Sequence, residues 1–218
     1  ARMFGNVADH RHFSQARQSL PCPPALQDSR SPRIVFMGAI DAYKLDLRLL
    51  HQLILRHPEW SFVLIGPVGE CDPSTEVAPL KVCSNVHLVG PQAYDTLPAW
   101  LSHADVALLP LQLNGYTRNM FPMKFFEYLS AGLPVVATAI PALAAHADVA
   151  WLCEPHVEAF EQAIRAALAG DGPTLDHRLA RAQTQTYQLR TEAMLDVLQE
   201  KGLLKGVGQQ LFGQVPGP

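Results

Sequence analysis

Two lysines and a glutamate have the types and spacing that chemistry needs. Lys44 closes the loop "GAIDAYK", six residues after Gly38. Lys124 and Glu127 stand three residues apart in "FPMKFFEYLSAG", an otherwise apolar helical pattern. A lysine shortly after a glycine can reach a phosphate, because glycine lets backbone and ligand approach closely. On its own residues, though, that loop reads as an ordinary turn with a solvated lysine. An ionised glutamate only accepts hydrogen bonds, with room for both hydroxyls of a ribose. The bland alternative for Lys124 and Glu127 is a helical i,i+3 salt bridge worth roughly 0.2–0.5 kcal/mol. The apolar surroundings argue against it, since a charge pair is costly on a buried face unless something polar lies there. The polar loop "LQLNGYTRN" leads in, with Arg118 and Asn119 at its end. Asn119 reads as the N-cap of the following helix and Pro122 as a first-turn residue. The free N–H groups and partial positive charge of such a helix start suit a phosphate.

The elements that must position these groups follow a regular rhythm. Short apolar runs alternate with amphipathic stretches: "RIVFM", "SFVLIG", "VHLVG", "DVALLP", "PVVAT" and "DVAWLC" read as strands. Between them "DLRLLHQLILRH", "YDTLPAWLSHA", "FPMKFFEYLSAG" and "VEAFEQAIRAAL" read as helices, the first capped by Asp46 and ended by Pro58. Gly132 supplies a left-handed helix stop before Pro134. Two more helical patterns fill residues 175–201. About six strands of this kind indicate an α/β, Rossmann-like, doubly wound parallel sheet with helices on both faces. Ligands of such sheets bind beyond the carboxyl ends of the strands, so the loops after Met37, Ile65, Val89, Leu109 and Ala137 are the ones to search. The first loop is not G-x-G-x-x-G, which argues against a nicotinamide or flavin dinucleotide. Residues 1–32, with "PCPPALQDSRSP", read as linker, residues 33–201 as the domain, and residues 202–218 as a flexible tail.

Bulk properties exclude several classes. The formal charge is −3 over 218 residues, and the basic residues are scattered, so nucleic acid is not an expected partner. The nine histidines and four cysteines show no ligand spacing, and no metal is expected. Four widely spaced cysteines suit reduced thiols and a cytoplasmic location. No apolar run is long enough to span a bilayer and no signal peptide is seen, while membrane contact of a fuller protein stays open. The chain opens on Ala1 rather than Met and reads as a fragment or processed product.

The motifs, taken in order, resemble the C-terminal, donor-binding domain of GT-B retaining glycosyltransferases, family 4 or "group 1". "FMGAIDAYK" is similar to the family's glycine loop, and "PEWSFVLIGPVG" to its second strand and glycine turn at Gly66. "NVHLVGPQAYDTLPAWLSHADVALLP" is similar to its base-binding loop and the stretch that follows. "MKFFEYLSAGLPVVAT" resembles its signature helix and strand, and "TYQLRTEAMLDVL" its closing helices. "GNVADHRHF" is similar to the linker between its two domains. The resemblance implies that a nucleotide-diphosphate sugar is the donor, that Lys44 binds the diphosphate, and that Glu127 binds the ribose as second acid of an E-x7-E motif. It puts the first acid, which holds the donor sugar, at Asn119. It sets the backbone of Met120 and Phe121 against the distal phosphate and sugar, and the loop from Gly90 against the base. Two departures stand out. Ala39 replaces the usual arginine, leaving Arg118 or Lys124 to substitute, and Asn119 carries no charge. The acceptor-binding domain that precedes this one in the family is not in the sequence, so this chain alone is expected to bind a donor and do little chemistry. A standalone or degenerate nucleotide-sugar-binding module without activity is the alternative.

Overall fold

Strands without a polar face must be covered on both sides. The computed structural model, which describes residues 4–203, meets this with one sheet of six parallel strands. These are β1 (Arg33–Met37), β2 (Ser61–Ile65), β3 (Val86–Gly90), β4 (Val106–Leu109), β5 (Val135–Thr138) and β6 (Trp151–Cys153), in the order β3-β2-β1-β4-β5-β6. The helices are α1 (His10–Phe13), α2 (Leu47–Arg56), α3 (Ala78–Lys81), α4 (Leu97–Leu101), α5 (Lys124–Ala131), α6 (Val157–Ala169), α7 (Leu175–Gln183) and α8 (Tyr187–Glu200). Every residue of β2, β4 and β5 is buried, while the edge strand β3 is only half-buried. The strand order reverses between β1 and β4, which pair directly (Ile34 with Val106, Val35 with Ala107). Their carboxyl ends therefore form the crevice where ligands of doubly wound sheets sit.

Asp46 caps α2 by accepting from the Leu49 N–H at 2.9 Å, and Gly132 (φ +86°) stops α5, both as the sequence indicates. The last strand is shorter than expected. Asp148–Ala150 stay outside it because the turn at Pro141–His146 closes with the Val149 N–H on the His146 carbonyl. The segment before β1 is more ordered than its composition suggests. Phe13, Ala16 and Leu26 are buried, and Ala8 bridges in parallel to Thr186. Its pieces are too short to show a period, so the apolar anchors carry no pattern in the sequence. The tail beyond Leu203 lies outside the described residues.

Helix α5 packs against α1, α4 and α7. It also sets the end of β1: the fully buried Tyr128 hydroxyl accepts from the Met37 N–H at 2.7 Å, one residue before Gly38. Tyr128→Phe leaves that buried N–H without an acceptor and is expected to cost about 1–3 kcal/mol, read as a lower denaturation midpoint. An unchanged midpoint would mean that the hydroxyl does not hold the strand end.

Candidate functional site

At the switch point two depressions of about 590 and 390 Å³ run together, sharing Met37, Gly38, Ala39, Glu70 and Lys124. The larger lobe is walled by Lys44, Asn119, Met120 and Phe121, the smaller by Gly66, Gln92, Tyr94 and Glu127. Loops from four strands thus converge on one groove.

The floor is built from glycines. The Gly38 N–H donates to the Ile65 carbonyl at 2.8 Å, and the Gly66 N–H to the Gly90 carbonyl at 2.9 Å. A Cβ on Gly66 would stand 2.1 Å from the Gly38 carbonyl oxygen, so only glycine allows the two turns to close on each other. Gly90 itself lines neither lobe; Pro91 and Gln92, which follow it, line the smaller one. At Gly38 (φ +146°) a Cβ would lie 3.4 Å from Lys124 Cε, so the Lys124 side chain crosses directly over that glycine.

Lys44 reaches the groove from a clamped loop. Asp41 is 0 % exposed, and its carboxylate accepts from Lys44 Nζ at 3.3 Å and from the Cys71 N–H at 3.2 Å. The Gln112 N–H donates to the Lys44 carbonyl, and the Asn114 side-chain amide to the Tyr43 carbonyl at 2.6 Å. Hydrogen bonding to Tyr43, and then to Asp41, raises the Lys44 ammonium above its ordinary pKa and keeps it charged. Asp41 was not singled out from the sequence, although its place three residues before a lysine is a signal for such a pair.

Glu127 is 9 % exposed, and among the described residues its carboxylate has no hydrogen-bond or ion-pair partner. The i,i+3 salt bridge with Lys124 is not formed. Burial pushes the Glu127 pKa up, and the nearby charges of Lys124 and His12 offset this only in part. A desolvated carboxylate without a partner is costly in the free protein, which marks it as a group awaiting donors.

Three expectations are corrected. Asn119 is not the N-cap of α5. It ends a 3₁₀ turn (Thr117–Asn119), with its amide donating to the Gly115 carbonyl at 2.7 Å, and α5 begins only at Lys124. Pro122 accordingly precedes the first turn. Its carbonyl accepts from the Phe125 N–H, while Met123, at the cap, makes no side-chain capping bond. Glu127 lies in the first turn of α5. Arg118 does not enter the groove: the same 3₁₀ turn carries it to a separate depression with Leu113, Ile140 and Glu154. Of those two substitutes, Lys124 is the one that lines the groove with Ala39. The turn itself is held by Asn114 and the buried Thr117, whose hydroxyl donates to the Gln112 carbonyl. Phe121 stacks on Phe126 (5.0 Å between centroids), and its carbonyl accepts from the Asn6 amide at 3.0 Å.

Among the described residues no cluster of three or more His, Cys, Asp or Glu could hold a metal ion, and no helix is long and apolar enough to cross a membrane. All four cysteines are free thiols.

The chain is 30 % identical over 136 residues to the putative teichuronic acid biosynthesis glycosyltransferase TuaH of Bacillus subtilis, covering 62 % of this chain and 34 % of that protein. Sucrose-phosphate synthase from Thermosynechococcus elongatus superposes with a TM-score of 0.70 at 20 % identity, over 93 % of this chain and 53 % of that one. Anabaena Alr3699/HepE, solved in complex with UDP, superposes with a TM-score of 0.69 at 16 % identity, over 91 % and 57 %. HepE has also been solved in complex with UDP-glucose. At these identities the structural likeness speaks for the fold. The chain spans about a third of the curated relative and a little over half of the solved neighbours. Residues 31–182, well over half of the chain, match the family described as Glycosyl transferases group 1, and the chain belongs to that family.

Proposed function

We propose that this chain is the C-terminal, donor-binding half of a retaining, family 4 glycosyltransferase of the cytoplasm, and that its groove takes a nucleotide-diphosphate sugar. The observation that carries this is Glu127, a largely buried side chain whose carboxylate has no hydrogen-bond or ion-pair partner among the described residues, facing a groove at the switch point of the sheet. Its two oxygens receive the ribose hydroxyls. The diphosphate lies over Gly38 between Lys44 and Lys124, near the uncapped start of α5. The base extends along Pro91 and Gln92, and the sugar enters the larger lobe beside Asn119, Met120 and Phe121. The catalytic contribution is electrostatic: fixed cations and backbone N–H groups stabilise charge developing on the departing diphosphate, with no metal required. The acceptor site belongs to a preceding domain, reached through the segment before β1.

A nucleotide-sugar-binding module without transfer activity is the second reading. Ala39, and the commitment of the neutral Asn119 amide to Gly115, favour it. Calorimetric titration of this chain with UDP, GDP, ADP and their sugar conjugates tests the site common to both readings. Saturable binding of one nucleotide series is expected. A folded sample that binds none of them would contradict the assignment.

A further inference from the structure

Glu70 has no role in the scheme above, yet it lines both lobes of the groove. Its neighbours fix its place. The Gly69 N–H donates to the Ile40 carbonyl at 3.0 Å, and the Cys71 N–H to buried Asp41 at 3.2 Å. The turn beyond is tied back by the Ala42 N–H on the Thr75 hydroxyl at 3.0 Å. The residues on either side of Glu70 are thus tied to the Gly38–Lys44 loop, while Glu70 itself is exposed and forms no ion pair among the described residues. It is also the only acidic side chain among those described that lines the larger lobe.

The charge balance gives that position a consequence. Lys44 and Lys124 face three carboxylates, of which Asp41 is occupied in holding Lys44 and Glu127 is buried in the smaller lobe. Glu70 is the exposed one and lines both lobes, where a diphosphate would cross from one to the other. A free nucleoside diphosphate carries one more negative charge than its neutral sugar ester. A uronic-acid conjugate likewise carries one more than its hexose counterpart. One like-charge contact across a wet groove is worth about fivefold in affinity.

We infer that Glu70 is a specificity-determining residue: its carboxylate selects against excess negative charge, favouring a donor with an uncharged sugar over the spent nucleoside diphosphate and over uronic-acid donors. This rests on the groove being the donor site. The test is titration of the chain and its Glu70→Gln variant with UDP, UDP-glucose and UDP-glucuronate, and with GDP, GDP-mannose and GDP-mannuronate. In the series that binds, the variant is expected to tighten the free diphosphate and the uronate conjugate by about fivefold, more at low salt, with the neutral conjugate unchanged or weaker. A factor common to all three ligands, or no change in any, overturns the role of Glu70 and leaves the donor site standing. Absence of binding to the unaltered chain in both series overturns both.

Discussion

Glu127→Ala is expected to weaken nucleotide binding by about 100-fold while leaving the free chain folded. Two hydrogen bonds to a charged acceptor contribute together roughly 3 kcal/mol, which sets that factor. The free protein loses no hydrogen bond or ion pair, because the carboxylate has no such partner among the described residues. The pH dependence gives a second check. Burial raises the folded pKa of Glu127 above its unfolded value. The folded state therefore holds this proton more tightly. Its contribution to stability is fully present below the unfolded pKa and is lost as pH rises through the folded one. Glu127→Gln keeps the shape and removes the titration. Its advantage in melting temperature over the unaltered chain should grow from acid to neutral pH, even as it binds nucleotide more weakly. Equal affinity and an equal pH profile for the variant would remove Glu127 from the site.

Lys44→Ala is expected to act on stability and affinity together. Among the described residues the lysine is the only side-chain partner of the fully buried Asp41 carboxylate, which would be left with the Cys71 N–H. With the Lys44 side chain 21 % exposed, some water replaces the contact, and a loss of about 2 kcal/mol is expected. For a chain of this size that lowers the melting temperature by about 4–8 °C. Binding of the nucleoside diphosphate should fall by about tenfold, with little change for the nucleoside. Adding Asp41→Asn removes the stranded charge. The double variant should therefore recover stability and not affinity. Recovery of both would mean that Lys44 serves the fold alone.

The sheet, its helices and the convergence of loops on one groove were legible because apolar strands and amphipathic helices leave strong periodic signals. Lys124 and Glu127 stood out as charges on an apolar helix, whereas Gly38 and Lys44 read as an ordinary turn on their own residues and drew notice only through the family resemblance; all four line the groove. What was hidden depends on contacts distant in sequence. The packing of Gly66 on Gly38 joins strands 28 residues apart. Asn6 reaches Phe121 across 115 residues, and Asn114 clamps the Lys44 loop from 71 residues away. The start of α5 was misplaced because Asn119 and Pro122 both favour helix starts, whereas Asn114 and Thr117 fold the preceding residues into a separate turn. The exclusion of Arg118 from the groove follows from that turn.

The most direct test of the account is a crystal structure of this chain with the nucleoside diphosphate that it binds. The ribose hydroxyls should lie within hydrogen-bond distance of the Glu127 carboxylate, and the diphosphate over Gly38 between Lys44 and Lys124. A nucleotide seated elsewhere, for instance in the depression beside Arg118 and Glu154, would contradict it.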